Sequence, residues 1–327
     1  METRQLKPIG NVSSLTLGGG GIGQVWGETD RDEAIDTTKA AVDGGITLLD
    51  MAPSYGRGEA ETVIGETFGG SLPDGVRVTS KCQLGTPAIE DIHPKFERSL
   101  QRSLAAMKLE AVDIFFLHSN ICPDDYTYAK FSENQDRWAT RWSTYVDGVI
   151  PAMERLKSQG LIRNWGITGT GVPSTIRDAL QLETRPSAVQ LVANLMDGVG
   201  NMRLYDSEPV SPRDSMQVAN DQNIGVMGIR AVAAGSLCAA IDRDLPDDEA
   251  TVVDFNIAAS FRALCAEIGE DPAIIAHRYA LGMAHVDTVV LGVKNRTELD
   301  GCLKAADQGP LSDELANKID ALGIVTI

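Results

Sequence analysis

Short apolar runs alternate with amphipathic, capped segments from Leu15 almost to the far end of the chain. The runs that read as strands are Leu15–Leu17, Thr47–Leu49, Val76–Ser80, Val112–Leu117, Ile162–Ile167, Ala188–Val192, Gly225–Ile229 and Thr288–Leu291. Each is apolar or β-branched and bounded by Gly, Pro or a polar residue. Between the first two lies D-R-D-E-A-I-D-T-T-K-A-A-V-D-G-G, which opens on an Asp cap and an acidic first turn and closes on paired glycines, the signals of a helix. Further helices are predicted over Glu59–Phe68, His93–Met107 (with Pro94 in its first turn), Asp147–Gln159, Pro173–Leu182, Pro212–Asn220, Pro272–Met283 and Thr297–Ala306. Buried strands in strict alternation with helices imply a parallel sheet. Eight such units imply closure into a (β/α)8 TIM barrel, an α/β fold, with residues 1–327 as one domain. An open, doubly wound sheet is the alternative.

Two segments break the rhythm. Residues Ser119–Tyr145 form a long polar and aromatic stretch carrying Tyr126, Tyr128, Phe131, Trp138, Trp142 and Tyr145. It follows the fourth strand, so it is expected to hang over the barrel mouth as a lid or binding wall. A packed surface excursion is the other reading. After the seventh strand comes L-C-A-A-I-D-R-D-L-P-D-D-E-A, an acidic stretch expected to stay solvated.

Composition narrows the partners rather than the fold. The formal net charge of −17 argues against nucleic acid and anionic membrane surfaces. Five scattered cysteines, Cys82, Cys122, Cys238, Cys265 and Cys302, show no paired spacing. That pattern favours reduced thiols in a cytoplasmic protein over disulfides or structural zinc. No stretch resembles a signal peptide or reaches the length of a membrane span.

The chemistry gathers where strands end. Asp50 and Tyr55 follow the second strand, Lys81 the third and His118 the fourth. An acid, a lysine and a histidine closing successive strands exceed what turn formation needs, and barrels of this kind collect catalytic groups there. An ordinary phenol titrates near 10, too high for efficient acid–base work at neutral pH. A neighbouring lysine ammonium would lower that value, and an aspartate paired with the lysine would keep it charged and aimed. A neutral histidine could hydrogen-bond a substrate carbonyl and polarise it. The set suits proton delivery to a carbonyl oxygen as hydride reaches its carbon. No metal is required. Taken singly, each residue has a plainer reading: Asp50 as a turn residue, Lys81 as a salt-bridge partner, Tyr55 as a packing residue, His118 as a core imidazole.

In D-M-A-P-S-Y-G-R-G-E-A-E-T-V-I-G, V-T-S-K and D-I-F-F-L-H, in that order, the chain resembles an aldo-keto reductase, and the likeness runs from about Leu15 to Leu303. The resemblance implies a (β/α)8 barrel, an extended nicotinamide cofactor held without a Rossmann fold, and interconversion of carbonyls and alcohols. It gives Tyr55 the acid/base role, Lys81 and Asp50 the tuning of it, and His118 the orientation of the carbonyl. It also implies cofactor contacts. Gly19 and Gly20 stand where the backbone approaches the nicotinamide, with Asp50 nearby. Thr168 and Gly169 replace a usual Ser-Asn pair that grips the carboxamide, and Gln190 is its other partner. Ile229 stands where an aromatic often stacks, and Arg230, Gly235, Ser236 and Leu237 belong to the pyrophosphate side.

At the adenosine end, Lys294, Asn295 and Arg296 open a helix whose N–H groups and charge favour a phosphate. Two cations there fit a 2′-phosphate, hence NADP (NADPH), with NAD possible; simple solvation of a helix end is the other reading. Glu298, Gly301 and Cys302 depart from the family pattern at the adenine contacts. Trp26 and Trp142 are expected to line the substrate pocket. The chain ends at Ile327, soon after its last predicted helix, so specificity is expected to rest on residues 119–145. The expected partner is a small carbonyl or alcohol. A redox-sensing regulatory subunit that holds nicotinamide with little turnover is the alternative function, and a metal-dependent barrel hydrolase or isomerase is disfavoured by four unpaired histidines.

Overall fold

The structure, a computed structural model, describes residues 1–325; Thr326 and Ile327, and with them the expected chain end, lie outside the described residues. Eight parallel strands close a barrel: β3 (Leu15–Gly18), β4 (Leu48–Asp50), β5 (Arg77–Cys82), β6 (Val112–Leu117), β9 (Ile162–Thr168), β10 (Ala188–Val192), β11 (Gly225–Ile229) and β12 (Thr288–Leu291). They neighbour one another in chain order, and β12 pairs back onto β3 through Val289–Leu15 and Leu291–Leu17. The expected (β/α)8 barrel is therefore the fold. Most of the strands are apolar on both faces because one face meets the barrel interior and the other the helices, while β5 buries Thr79, Ser80 and Lys81. In β6 all six residues are buried, and Phe115 packs outward edge-to-face on Phe96 at 5.9 Å between centroids.

The outer layer is built from α2 (Arg31–Asp43), α3 (Glu59–Phe68), α4 (Ile89–Met107), α7 (Ile150–Ser158), α8 (Pro173–Gln181), α9 (Pro212–Asp221), α12 (Pro272–Gly282) and α13 (Arg296–Gln308), with a short α1 (Gly19–Ile22) after β3. In α2, Asp30 accepts the Glu33 N–H at 2.8 Å, the cap expected from the sequence. Helix α4 begins a turn earlier than expected, which places Pro94 sixth in the helix rather than in its first turn. There the ring forfeits the bond to the Glu90 carbonyl, and the apolar face of Phe96, Leu100 and Leu104 holds the helix regardless. The helix expected from Asp147 starts instead as α6 (Trp142–Thr144), passes through a π-helical turn at Tyr145–Val149 and continues as α7.

Several elements were not foreseen. A hairpin of β1 (Thr3–Leu6) and β2 (Gly10–Ser13) precedes the barrel. Its Leu6 and Val12 pack with Leu48, Ile114, Phe116, Ala188 and Met227, so the hairpin plugs the end of the barrel opposite the C-terminal strand ends. Within residues 119–145, β7 (Asn120–Cys122) pairs in parallel with β8 (Ala139–Arg141), and α5 (Gln135–Trp138) lies between them. After the acidic stretch come α10 (Ala250–Ile257) and α11 (Ala259–Ile268), and α14 (Asp313–Asp320) follows α13. No helix among the described residues is long and apolar enough to cross a membrane. The five cysteines are all free.

Candidate active site

Asp50 is the last residue of β4 and His118 the first after β6, while Lys81 sits inside β5, one residue before its end. The strand runs two residues further than expected because β6 continues to pair with it, Lys81 facing Phe116 and Cys82 facing Leu117. Lys81 is consequently fully buried. Its Nζ donates to Asp50 Oδ2 at 2.7 Å and to the Met51 carbonyl at 3.0 Å. The other carboxylate oxygen of Asp50 accepts from Thr79 Oγ1 at 2.6 Å and Gln190 Nε2 at 2.8 Å. A buried ion pair is tolerable only when its remaining lone pairs and protons are satisfied. Here Thr79 and Gln190 do that.

Tyr55 opens a tight turn, Tyr55–Gly58, in which Gly56, Arg57 and Gly58 all adopt positive φ. The turn brings its ring beneath Lys81 Nζ, 4.7 Å from the centroid, and edge-on to His118 at 6.1 Å. Tyr55, His118, Lys81 and Asp50 therefore come together as expected. Two more residues shape the seat. A Cβ on Gly19 would come within 3.0 Å of the Tyr55 ring, and one on Gly20 within 2.6 Å of Trp26 Nε1. A side chain at Gly19 or Gly20 would therefore collide with Tyr55 or Trp26.

Electrostatics differ from expectation at one point. Burial pushes the Tyr55 phenol above its ordinary value, and Lys81 opposes the rise without reversing it. The expected lowering fails because removing phenolate from water outweighs one ammonium that Asp50 already partly neutralises. Burial alone would lower Lys81, yet Asp50 and the phenol reverse this and hold it above an ordinary lysine. Burial, and then the Lys81 charge, push His118 down to about 4. At neutral pH the site holds a protonated phenol, an ammonium and a neutral imidazole.

The remaining candidates spread around the same face. Thr168 closes β9 and donates to the Leu117 carbonyl at 3.2 Å, and Gly169 N–H donates to the Gln190 carbonyl at 2.7 Å. Ser236 donates its hydroxyl to the Thr251 carbonyl at 2.8 Å, and Leu237 is buried in the core. Their side chains therefore serve the turn, not an open phosphate slot, and Gly235, at φ +100°, provides the bend. Arg230 is different. It adopts a left-handed φ of 61°, and its Nε is buried with no partner among the described residues. Burial lowers its pKa against the opposing charges of Asp254 and Glu249, neither of which forms an ion pair with it among the described residues. An unpaired buried N–H of a cation is costly, and an anionic group at this point would satisfy it. That orphaned donor fits a nucleotide pyrophosphate.

At the start of α13, Asn295 caps the helix by accepting the Glu298 N–H at 2.9 Å. Lys294 is held by Asp242 and Glu298, and Arg296 by Glu33 at 3.0 Å and Asp36 at 3.7 Å. The acidic stretch after β11 is accordingly not wholly solvated, since Asp242 leaves it to clasp Lys294.

A cleft of about 500 Å3 opens on the same face, lined by Asn120, Phe131, Trp138, Asn201, Leu204 and Glu249 among others. Trp142 instead packs on Tyr145 at 5.9 Å and on the core, because the short α6 turns its ring toward the barrel wall. Trp26 lies over Gly20 and Gly292. Neither tryptophan lines the cleft. Sequence reasoning missed Thr79, Asn201 and Glu249, whose contacts come from distant segments. Among the described residues no cluster of histidine, cysteine or carboxylate could hold a metal.

Residues 14–324 match the model of the aldo/keto reductase family. The chain belongs to that family. L-galactose dehydrogenase from Arabidopsis thaliana is 23% identical over 308 residues, 92% of this chain and 87% of the relative. Among solved structures, an aldo-keto reductase from Bacillus halodurans superposes with a TM-score of 0.69 at 19% identity, covering 98% of this chain and 96% of the other. One from Klebsiella pneumoniae in complex with NADPH gives 0.70 at 18%, covering 99% and 96%. At such identity the solved structures speak for the fold. Membership of the aldo/keto reductases adds the class of reaction, nicotinamide-dependent interconversion of carbonyls and alcohols.

Proposed function

We propose that this aldo/keto reductase reduces an aldehyde or ketone to the alcohol, and runs the reverse, with Tyr55 as proton donor and acceptor. One observation carries the reading: the buried Lys81 ammonium lies 2.7 Å from Asp50 and 4.7 Å from the centre of the Tyr55 ring. A protonated phenol beside a fixed positive charge can release its proton to an oxygen that turns negative, because the phenolate left behind is stabilised by Lys81. Asp50 keeps Lys81 charged and aimed. Neutral His118, edge-on to Tyr55, donates a hydrogen bond that orients the carbonyl without competing as an acid.

The nucleotide, NADP(H) or NAD(H), supplies the hydride when bound. Arg230 would meet its pyrophosphate, Gln190 and Thr168 its carboxamide, and the start of α13 its adenosine end. The chain's own part is orientation, charge stabilisation and the proton.

Replacing Tyr55 with Phe tests the role. Carbonyl reduction should fall roughly 10²–10⁴-fold, while nucleotide affinity, read by fluorescence titration, stays within a few-fold. Retention of more than about a tenth of the parental rate would remove Tyr55 from the acid role.

The substrate is proposed to enter through the cleft walled by Phe131 and Trp138, in line with the position of residues 119–145. Trp138→Ala should then alter the ratio of kcat/KM between bulky and small carbonyls about three- to tenfold, the range expected for one apolar contact. An unchanged ranking in a folded variant would return the segment to a surface excursion.

A further inference from the structure

We infer that the adenosine end of this nucleotide site favours a free ribose 2′-hydroxyl over a 2′-phosphate, so that the chain binds NAD(H) more tightly than NADP(H). The inference rests on the proposed function, which places a nicotinamide nucleotide across this face.

A helix start can seat a phosphate because its N–H groups are unpaired and its dipole is positive. At α13 two of those donors, the Arg296 and Glu298 N–H groups, are engaged, and so is the Lys294 N–H just before the cap. The Lys294 N–H donates to Glu298 Oε2 at 2.8 Å, the Arg296 N–H to Glu33 Oε1 at 2.9 Å, and the Glu298 N–H to Asn295 Oδ1 at 2.9 Å. Two of the three acceptors are carboxylates. The side-chain cations are engaged as well. Lys294, only 14% exposed, lies between Asp242 and Glu298, while Arg296 is shared by Glu33 and Asp36. Arg243 joins the group through Asp242 at 3.1 Å. Three cations thus face four carboxylates before any ligand arrives.

Exposed ion pairs are individually weak, and a lysine or arginine could swing from a carboxylate to a phosphate at little cost. Backbone N–H groups cannot swing. A 2′-phosphate seated on the Lys294 and Arg296 N–H groups would have to expel Glu298 and Glu33 from them, and the carboxylates would stay within the screening length of its two negative charges wherever at this helix start it sat. A ribose hydroxyl asks for the opposite environment, since a carboxylate accepts its hydrogen bond and repels a phosphate in its place. Glu33 and Glu298 are therefore assigned as the residues that discriminate between the two nucleotides.

Direct binding of NADH and NADPH to the full chain, by calorimetry at low and at high salt, tests this. The expected result is a Kd for NADPH at least tenfold above that for NADH at low salt, with the gap narrowing as salt rises. The double variant Glu33→Gln, Glu298→Gln keeps side-chain acceptors of the same shape and removes two charges. Its ratio of the two Kd values should fall at least tenfold. Should the double variant be poorly folded by circular dichroism, Asp242→Asn should lower the ratio in the same direction by a smaller factor. Equal affinities, or tighter NADPH, in the parent would overturn the inference and leave the proposed function standing. Binding of neither nucleotide would overturn both.

Discussion

Two clusters of lysine or arginine with carboxylates lie on one face of the barrel, and they behave in opposite ways. At the Tyr55 end, Lys81 and Asp50 are buried and matched one to one, with Thr79 and Gln190 completing the carboxylate. At the start of α13 the groups are more exposed, and the carboxylates outnumber the cations. The inner pair sits on strand ends that cannot shift without opening the barrel. The outer cluster draws on a loop, two helices and a cap. Burial, more than the identity of the charges, decides which pair is fixed in the fold and which is free to rearrange.

The sharpest way to break this contrast is to remove the inner cation. Lys81→Met leaves Asp50 buried without its counter-ion, which should cost about 3–5 kcal/mol of stability. Chemical denaturation would measure it. A loss no larger than that of a surface substitution would mean that water reaches Asp50 and that the pair is not the buried one described here.

Acid provides a second probe of the inner end. His118 titrates at about 4 in the folded chain against an ordinary value of 6.5. Between these values the unfolded chain binds a proton that the folded chain does not, so stability falls as pH drops from about 6.5 towards 4. The contribution is absent above 6.5 and amounts to up to roughly 3 kcal/mol once pH is below the folded value. His277, also lowered by burial, adds to the same slope. Denaturation of His118→Asn from pH 4.5 to 7 should show a shallower decline than the parent. An identical slope would show that the imidazole is as hydrated folded as unfolded.

Arg296→Ala should have the smallest effect. Its guanidinium is 54% exposed and its partners Glu33 and Asp36 are themselves accessible, so the melting temperature should stay within the scatter of ordinary surface changes. A clear drop would mean that the outer cluster also holds the barrel together.

Much of the inner end was legible in the sequence because strand ends announce themselves. Asp50, Lys81 and His118 each close or follow an apolar run, and parallel closure brings such ends together. Tyr55 was picked out by its place just after the same strand and by the resemblance to the aldo-keto reductases. The direction of its pKa was not legible, since that depends on how completely the phenol is desolvated. The partners of the outer cluster were hidden for a different reason. Glu33 and Arg296 stand 263 residues apart and Asp242 and Lys294 stand 52 apart, so the sequence displays the cations without the carboxylates that hold them. The hairpin of T-R-Q-L and G-N-V-S carried too little apolar alternation to be read as strands. In residues 119–145 the aromatic character was visible, but which tryptophan faced the cleft depended on the short turns around it.

The hairpin plug has a consequence for the order in which the molecule is assembled. Leu6 seats against Met227 and Ala188, and Arg4 donates to the Leu281 carbonyl at 2.9 Å, 277 residues later in the chain. The hairpin residues thus find their partners only after most of the barrel that follows them has been made. Long-range closures of this kind are slow because the intervening loop must be ordered before any contact repays it. During synthesis the barrel stays unstoppered at its lower end, with Leu6, Val12 and the interior side chains they cover exposed together, and that apolar mouth is the surface a nascent chain must keep from its neighbours.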